Sequence, residues 1–315
     1  MPPNAAAELQ NVSLVGQNKT AVVVDGLNGN GGGIARRLAQ LGCSRIIICA
    51  DDEKRGKEEL EVLKRLASKE WGLVAHFLPV DLSDVKGMRA AAEAIQEAAG
   101  DSGIDYLIMS QMGAPKGLIK ENADRHDIAF AIQCISRFTL AYLLTTQGAL
   151  APDAIVLSVY YHWGHSLDDL SVEDLSLKRR LGTQSTTNTY KAQTRRDCTV
   201  LDSVNEELNF RYPQYRYYCL WPGLVTGDFS ASAFPTYLKV VVWLGSKILA
   251  VTLEQYANVP VYILASPDAQ RTLGPDRYFD HNLTPGSSMV GKWASDAKNR
   301  GALWEKLKEI IGEKE

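Results

Sequence analysis

Tyr190 and the residues after it raise a question of chemistry. In "NTYKAQTRRD" (188–197) a phenol stands beside an ammonium, Lys191, and one helical turn further on stands Thr194, which bears no charge. A phenol can give or take a proton beside a carbonyl, and a nearby cation makes it better at doing so by lowering its pKa. On a helix Lys191 cannot be that cation, because neighbouring residues point about 100° apart while residues four apart align. An unassisted phenol titrates near pH ~10, so Tyr190 would stay protonated at neutrality. It could then donate to a carbonyl oxygen, and it would be a poor base for oxidising an alcohol.

A second group of residues suits a phosphate. In "DGLNGNGGGIARRLAQLG" (25–42) Gly26, Gly29 and Gly32 recur every third residue, with Asn28, Asn30 and Gly31 between them and an amphipathic helix after them. Such a turn lets the backbone approach a pyrophosphate, and the helix N-terminus offers free N–H groups and a favourable dipole. The alternative is a tight turn that binds nothing. At "ADDEKRG" (50–56) Asp51 and Asp52 follow an apolar run, where a carboxylate can accept from both hydroxyls of a ribose and would repel a 2′-phosphate. This favours NAD(H); Lys54 and Arg55 leave NADP(H) open. An acidic helix start explains the same pair, Asp52 especially. In "PVDLSD" (79–84) Asp81 and Leu82 are placed to meet an adenine, and Asp81 could equally cap a helix.

The elements that must position these groups follow from periodicity. Apolar runs at 21–25, 45–50, 73–80, 106–110, 154–159 and 215–221 predict strands. Between them, helical spacing predicts helices at 31–41, 53–70, 84–99, 124–147 and 188–211. The alternation predicts an α/β, doubly wound parallel sheet. No linker divides the chain, so one domain is expected over 19–315, with 1–18 as a surface arm.

Composition narrows the function classes. The chain has 315 residues and a formal net charge of −3, which gives no general attraction to nucleic acid or to an anionic membrane. Its five cysteines, 43, 49, 134, 198 and 219, are scattered, with no C-x-x-C pair, which fits reduced thiols. "MPPNAAAELQ" lacks the basic start and apolar core of a secretory signal, so a cytoplasmic location is expected. His162 and His165 have no metal-ligand spacing, and no metal is expected; a hydrogen-bonded loop role suits them better than a catalytic one. The apolar stretch Phe229 to Leu253 could cover an apolar small molecule and exclude water. A helix buried at a subunit contact explains it as well, which leaves a homodimer open. Lys239 and Lys247 argue against a span, and peripheral membrane contact stays open.

With these pieces in order, the chain resembles the short-chain dehydrogenase/reductase family over nearly its whole length. "GLNGNGG", "VDL", "IDYLIMSQMG" (104–113) and "WPGLVTGDF" (221–229) carry the resemblance, and "QCISRF" (133–138) with the C-terminal tail is similar to retinol-dehydrogenase-like and fungal secondary-metabolism members. It implies a Rossmann-like fold with a nicotinamide dinucleotide cofactor and a C-terminal substrate lid, which falls on about 228–258. Ser110 would lie near that cofactor, and Pro222, Gly223, Val225 and Thr226 would hold the nicotinamide carboxamide. "PGLVTG" could also be a plain turn. The family's catalytic tyrosine falls on Tyr190 and its lysine on Thr194; the alternative register, with Lys191 as the lysine, puts Thr187 in the tyrosine's place. Its serine falls on Tyr160 or Tyr161 and its asparagine on Gln133. The expected function is an NAD(P)-dependent oxidoreductase for an apolar carbonyl or alcohol. Its rivals keep the fold: a non-redox cyclisation, isomerisation or dehydration, or nucleotide binding without turnover.

Overall fold

The computed structural model describes residues 4–27, 29–67, 72–113, 115–160, 166–181, 186–223, 225, 251–286 and 290–313. Seven parallel strands form one sheet: β1 (Thr20–Val24), β2 (Arg45–Ala50), β3 (Val74–Pro79), β4 (Ile104–Met109), β5 (Leu150–Val159), β6 (Arg216–Trp221) and β7 (Tyr278–Asp280), in the order β3-β2-β1-β4-β5-β6-β7. Val22 lies opposite Ile47 on one side and Leu107 on the other. Successive residues of a strand face opposite layers, and both layers are covered here, so β1 and β2 read as unbroken apolar runs. Val22, Val24, Ile47 and Cys49 join one core; Ala21, Val23, Ile46 and Ile48 join the other.

The crossover helices are α1 (Gly29–Gln40), α2 (Glu53–Leu66), α3 (Val85–Ala99), α4 (Ser136–Thr146) and α5 (Thr186–Arg211). Asp52 caps α2 by accepting from Arg55 N (3.0 Å), and Asp84 caps α3 by accepting from Gly87 N (2.8 Å), each satisfying a donor of a first turn. A helical turn at Ile128–Phe130 and a π turn at Ala131–Ile135 lead into α4. The run Ile128–Thr146 is long and apolar enough to cross a membrane, but 78% of it is buried in the protein, as befits a core helix.

Two regions differ from expectation. The segment expected as a surface arm forms a short helix, Ala5–Glu8, and drives Leu9 and Leu14 into the core at 1% exposure each. Burying two leucines is worth roughly 2 kcal/mol apiece, enough to hold so short a strap down. Beyond β6 the chain adds β7, α6 (Leu253–Ala265) and α7 (Ala297–Ile310), none of them expected. α6 packs on α1, where Gly33 lets the Leu253 carbonyl approach, and α7 places Leu303, Trp304 and Leu307 in the core beside α5. Of the segment read as a lid, 228–250 lies outside the described residues, and 253–258 opens α6.

Candidate functional site

β1 lies between β2 and β4, so the crossovers leave it in opposite directions and open a crevice outside the carboxyl ends of the strands. A cavity of about 260 Å³ runs over the ends of β2 and β3, lined by Asp51, Asp81, Leu82 and Ser83. A smaller one of about 50 Å³ lies over β4 and β5, lined by Asn30, Gly31, Ser110, Gln133, Tyr160 and Pro222. Asp25, Gln111 and Met112 border both, which makes one elongated crevice.

The glycine turn is at its centre. Gly26, Gly29, Asn30, Gly31 and Gly32 are all buried, and Gly29 opens α1; Asn28 lies outside the described residues. A Cβ on Gly31 would collide with Ser110 Oγ and the Asp25 carbonyl, so the turn must be bare there to sit against the end of β4. Ser110 fastens that contact, its hydroxyl donating to Val24 O (2.8 Å). The first turn of α1 therefore presents its N–H groups to the crevice, an arrangement that suits an anion such as a pyrophosphate. The two aspartates after β2 divide their work. Asp52 is spent as the cap of α2, while Asp51 is exposed and lines the crevice. Asp81 lines it too and accepts from Ser83 N (2.8 Å).

The expected catalytic groups are unevenly placed: Gln133 and Tyr160 line the smaller cavity, whereas Tyr190 and Thr194 are not among the residues lining either cavity. Tyr190 is half-buried near the start of α5, Lys191 is exposed, and Thr194 is half-buried with its hydroxyl donating to Tyr190 O (2.9 Å). Tyr160 is buried, and its hydroxyl donates to Asp202 Oδ1 (2.8 Å) on α5, away from duty as a serine's stand-in. Burial, with Asp202 nearby, raises its pKa well above the ordinary tyrosine value. Tyr161 lies outside the described residues. Gln133 is likewise committed: Oε1 accepts from Gly113 N (3.0 Å), pinning the strand-to-helix loop after β4. Gln193 pins the same loop further along, through Gly117 N (3.1 Å) and Leu118 O (3.0 Å).

Pro222 and Gly223 follow the end of β6, and Gly223 has φ +65°, a conformation that favours glycine. The His281 ring lies where its Cβ would be. Val225 pairs with Val251 in an isolated bridge; Thr226 lies outside the described residues. Among the described residues no cluster of His, Cys, Asp and Glu could hold a metal ion.

Sequence reasoning missed two side chains of the crevice. Arg137 and Gln111 are both buried and both line the smaller cavity. The signal for Arg137 was present: it is the one cation in the apolar run "IAFAIQCISRFTLAYLLTT" (128–146). A lone charge in such a run is either misplaced or used. A further apolar cavity of about 90 Å³ adjoins the site across the Tyr160 ring, walled by Leu220, Trp221, Tyr278, Phe279, Pro285 and Val290.

No family model matches the chain, and no curated protein matches its sequence. Its structure, in contrast, is matched by 982 solved chains, far too many for the fold to choose a chemistry. The fold class is α/β, a Rossmann-like doubly wound sheet. One similar structure is described as NADH-dependent reductase A1-R' complexed with NAD. It is 15% identical, with a TM-score of 0.53 over 84% of this chain and 95% of its own.

Proposed function

We propose that this chain is a nicotinamide-dinucleotide-dependent oxidoreductase acting on an apolar carbonyl or alcohol, with NAD(H) preferred over NADP(H). The observation that carries this reading is the unbroken crevice from Asp51, past the α1 N-terminus, to the turn at Pro222. The residues present fit the cofactor: Asp51 would accept from ribose hydroxyls, the first turn of α1 would meet the pyrophosphate, and Pro222 and Gly223 would bound the nicotinamide end. The bound cofactor would supply or accept the hydride. Tyr190 would pass a proton to the carbonyl oxygen, and the segment 228–258 would cover the substrate. The likeness to an NADH-dependent reductase supports the same class of cofactor.

A non-redox reaction on the same scaffold is the second reading. It is favoured by Thr194, whose hydroxyl bonds to the helix's own backbone where a cation would assist the phenol.

Calorimetric titration tests the first reading. NADH should bind in the micromolar range, and Asp51→Ala should weaken it by about tenfold while narrowing the preference over NADPH. No binding of either dinucleotide at millimolar concentration would sink the proposal. Tyr190→Phe should remove most turnover with cofactor affinity kept. Thr194→Lys should tighten the dinucleotide and raise the oxidation rate.

A further inference from the structure

The crevice is bordered by polar groups, and the cavity beside it is not. That cavity, of about 90 Å³, lies at the same edge of the sheet, because Tyr160 directly follows β5, Trp221 ends β6 and Asp280 ends β7. Tyr160 lines both this cavity and the smaller one of the crevice. Trp221 lines this cavity while Pro222, its neighbour in the chain, lines the other, so the two spaces stand side by side.

Its walls are carbon, although two of them are phenols. Both hydroxyls are taken by one residue behind them, Asp202 on α5: the Tyr160 hydroxyl donates to Oδ1 (2.8 Å) and the Tyr278 hydroxyl to the backbone carbonyl (3.1 Å). Asp202 is 0% exposed and does not line the cavity, so both rings turn their polar ends away from it. Polar side chains lie at the mouth instead. Thr284 is exposed there, and Asp280 is half-buried with Oδ1 accepting from the N–H groups of Asn282 and Thr284 (2.8 Å each). Those bonds hold a tight turn, which Gly286 N closes back onto β7 by donating to Tyr278 O (2.8 Å). Leu283 in the turn is buried with φ +61°, a left-handed conformation that a leucine adopts only at a cost. The protein itself thus holds the wall of an apolar space whose emptiness costs stability.

The size of the space limits its occupant. An apolar cavity of about 150 Å³ takes a benzene ring, so this one takes less. We propose that it seats the alkyl group of a small neutral ketone or secondary alcohol, branched and of about three to five carbons, with the carbonyl carbon left at the crevice beside Tyr160 and Pro222. Apolar walls behind a carboxylate at the mouth exclude an anion. The proposal narrows the substrate class of the functional reading above, and rests on that reading for turnover but not for binding.

The test is NMR of the full chain with labelled leucine and valine methyl groups, titrated with 3-methylbutan-2-one, acetone and 2-acetylnaphthalene, with and without NADH. 3-Methylbutan-2-one should shift the Leu220 and Val290 methyl signals in the millimolar range. Acetone, two carbons smaller, should need about tenfold more. 2-Acetylnaphthalene should move neither signal. Val290→Phe fills the cavity and should remove the Leu220 shift. Absence of both shifts in the unaltered protein at tens of millimolar 3-methylbutan-2-one overturns the proposal, whether or not the variant folds. So do equal or larger shifts from 2-acetylnaphthalene, or a folded Val290→Phe protein that keeps the Leu220 shift. Ketone shifts in a protein that binds no NAD(H) uphold this inference and remove the functional reading; NADH binding without ketone shifts does the reverse.

Discussion

Two arginines lie wholly inside this protein, and their surroundings are opposites. Arg196 on α5 donates from Nε to Asp197 Oδ1 (2.8 Å), from Nη2 to Asp127 Oδ2 (3.3 Å) and from Nη1 to Leu175 O (3.1 Å), with the Phe130 ring 4.3 Å from its guanidinium carbon. Arg137 on α4 has backbone carbonyls and a cavity. Burial pulls both pKa values down; at Arg196 the two carboxylates more than reverse this, and at Arg137 burial prevails. The first cluster joins α5 to the segments before α4 and around Leu175 by charge against charge, and its carboxylates still keep Asp127 Oδ1 and Asp197 Oδ2 without partners among the described residues. The second is held by carbonyl dipoles alone. A buried charge costs least where an opposite charge stands beside it, so the two guanidiniums are tolerated for different reasons.

Substitution should separate the two by stability. Arg196→Met strands Asp127 and Asp197 in the interior and should lower the unfolding free energy by about 3–5 kcal/mol, read from urea midpoints. Arg137→Met removes a charge that no carboxylate depends on, and should change it by no more than about 1–2 kcal/mol, in either direction. Equal losses at the two positions would erase the distinction.

A smaller effect of the paired cluster should appear with pH. Asp197 is pushed up to about 6, by burial first and by the neighbouring Asp127, against the pull of Arg196. Its unfolded value is near ~3.9, so the folded chain holds this proton the more tightly. The resulting stabilisation is fully present below about pH 4 and is lost as the pH rises through about 6, a change on the order of 1–3 kcal/mol. Urea unfolding between pH 4.5 and 7 should show this component in the unaltered protein and lack it in Asp197→Asn. Arg137→Met should leave the slope as it was, because a guanidinium does not titrate there.

The same contrast explains what the sequence could disclose. Five of the six expected strands were legible because a strand buried on both faces must be apolar throughout, and β2 falls on 45–50 as expected; β3, at the sheet edge and partly exposed, was legible from its apolar and β-prone residues alone. β7 has three residues, too few for any period, and Pro260 inside α6 reads as a break though the helix continues through it. The glycine turn and Asp51 stand out in the sequence because few residue types allow so close a turn or end a strand with a carboxylate, and the structure brings both to the crevice. Gln133 and Tyr160 are harder to read: their polar atoms could serve a substrate or the protein, and in the structure Gln133 Oε1 meets Gly113 N and the Tyr160 hydroxyl meets Asp202 Oδ1 while both residues line the smaller cavity. "RRD" at 195–197 looks like a solvated charge run, yet Arg196 and Asp197 are buried and Arg195 is exposed. Pairing across 69 residues of chain, from Asp127 to Arg196, leaves no local trace.

The smallest expected effect concerns a carboxylate that acts on Arg137 through space. Asp25 ends β1 and borders both cavities, yet it is exposed, so solvent screens its field in a way that Asp127 and Asp197 escape. Its charge must repel an anion entering the crevice, such as a pyrophosphate at the α1 N-terminus. Asp25→Asn keeps the size and removes the charge, and should tighten NADH by about two- to fivefold, with the gain shrinking at high salt. If NADH binds no better in Asp25→Asn at low salt, charge at the end of β1 does not govern binding in the crevice, and the screened carboxylate has no more influence there than the paired ones beside Arg196.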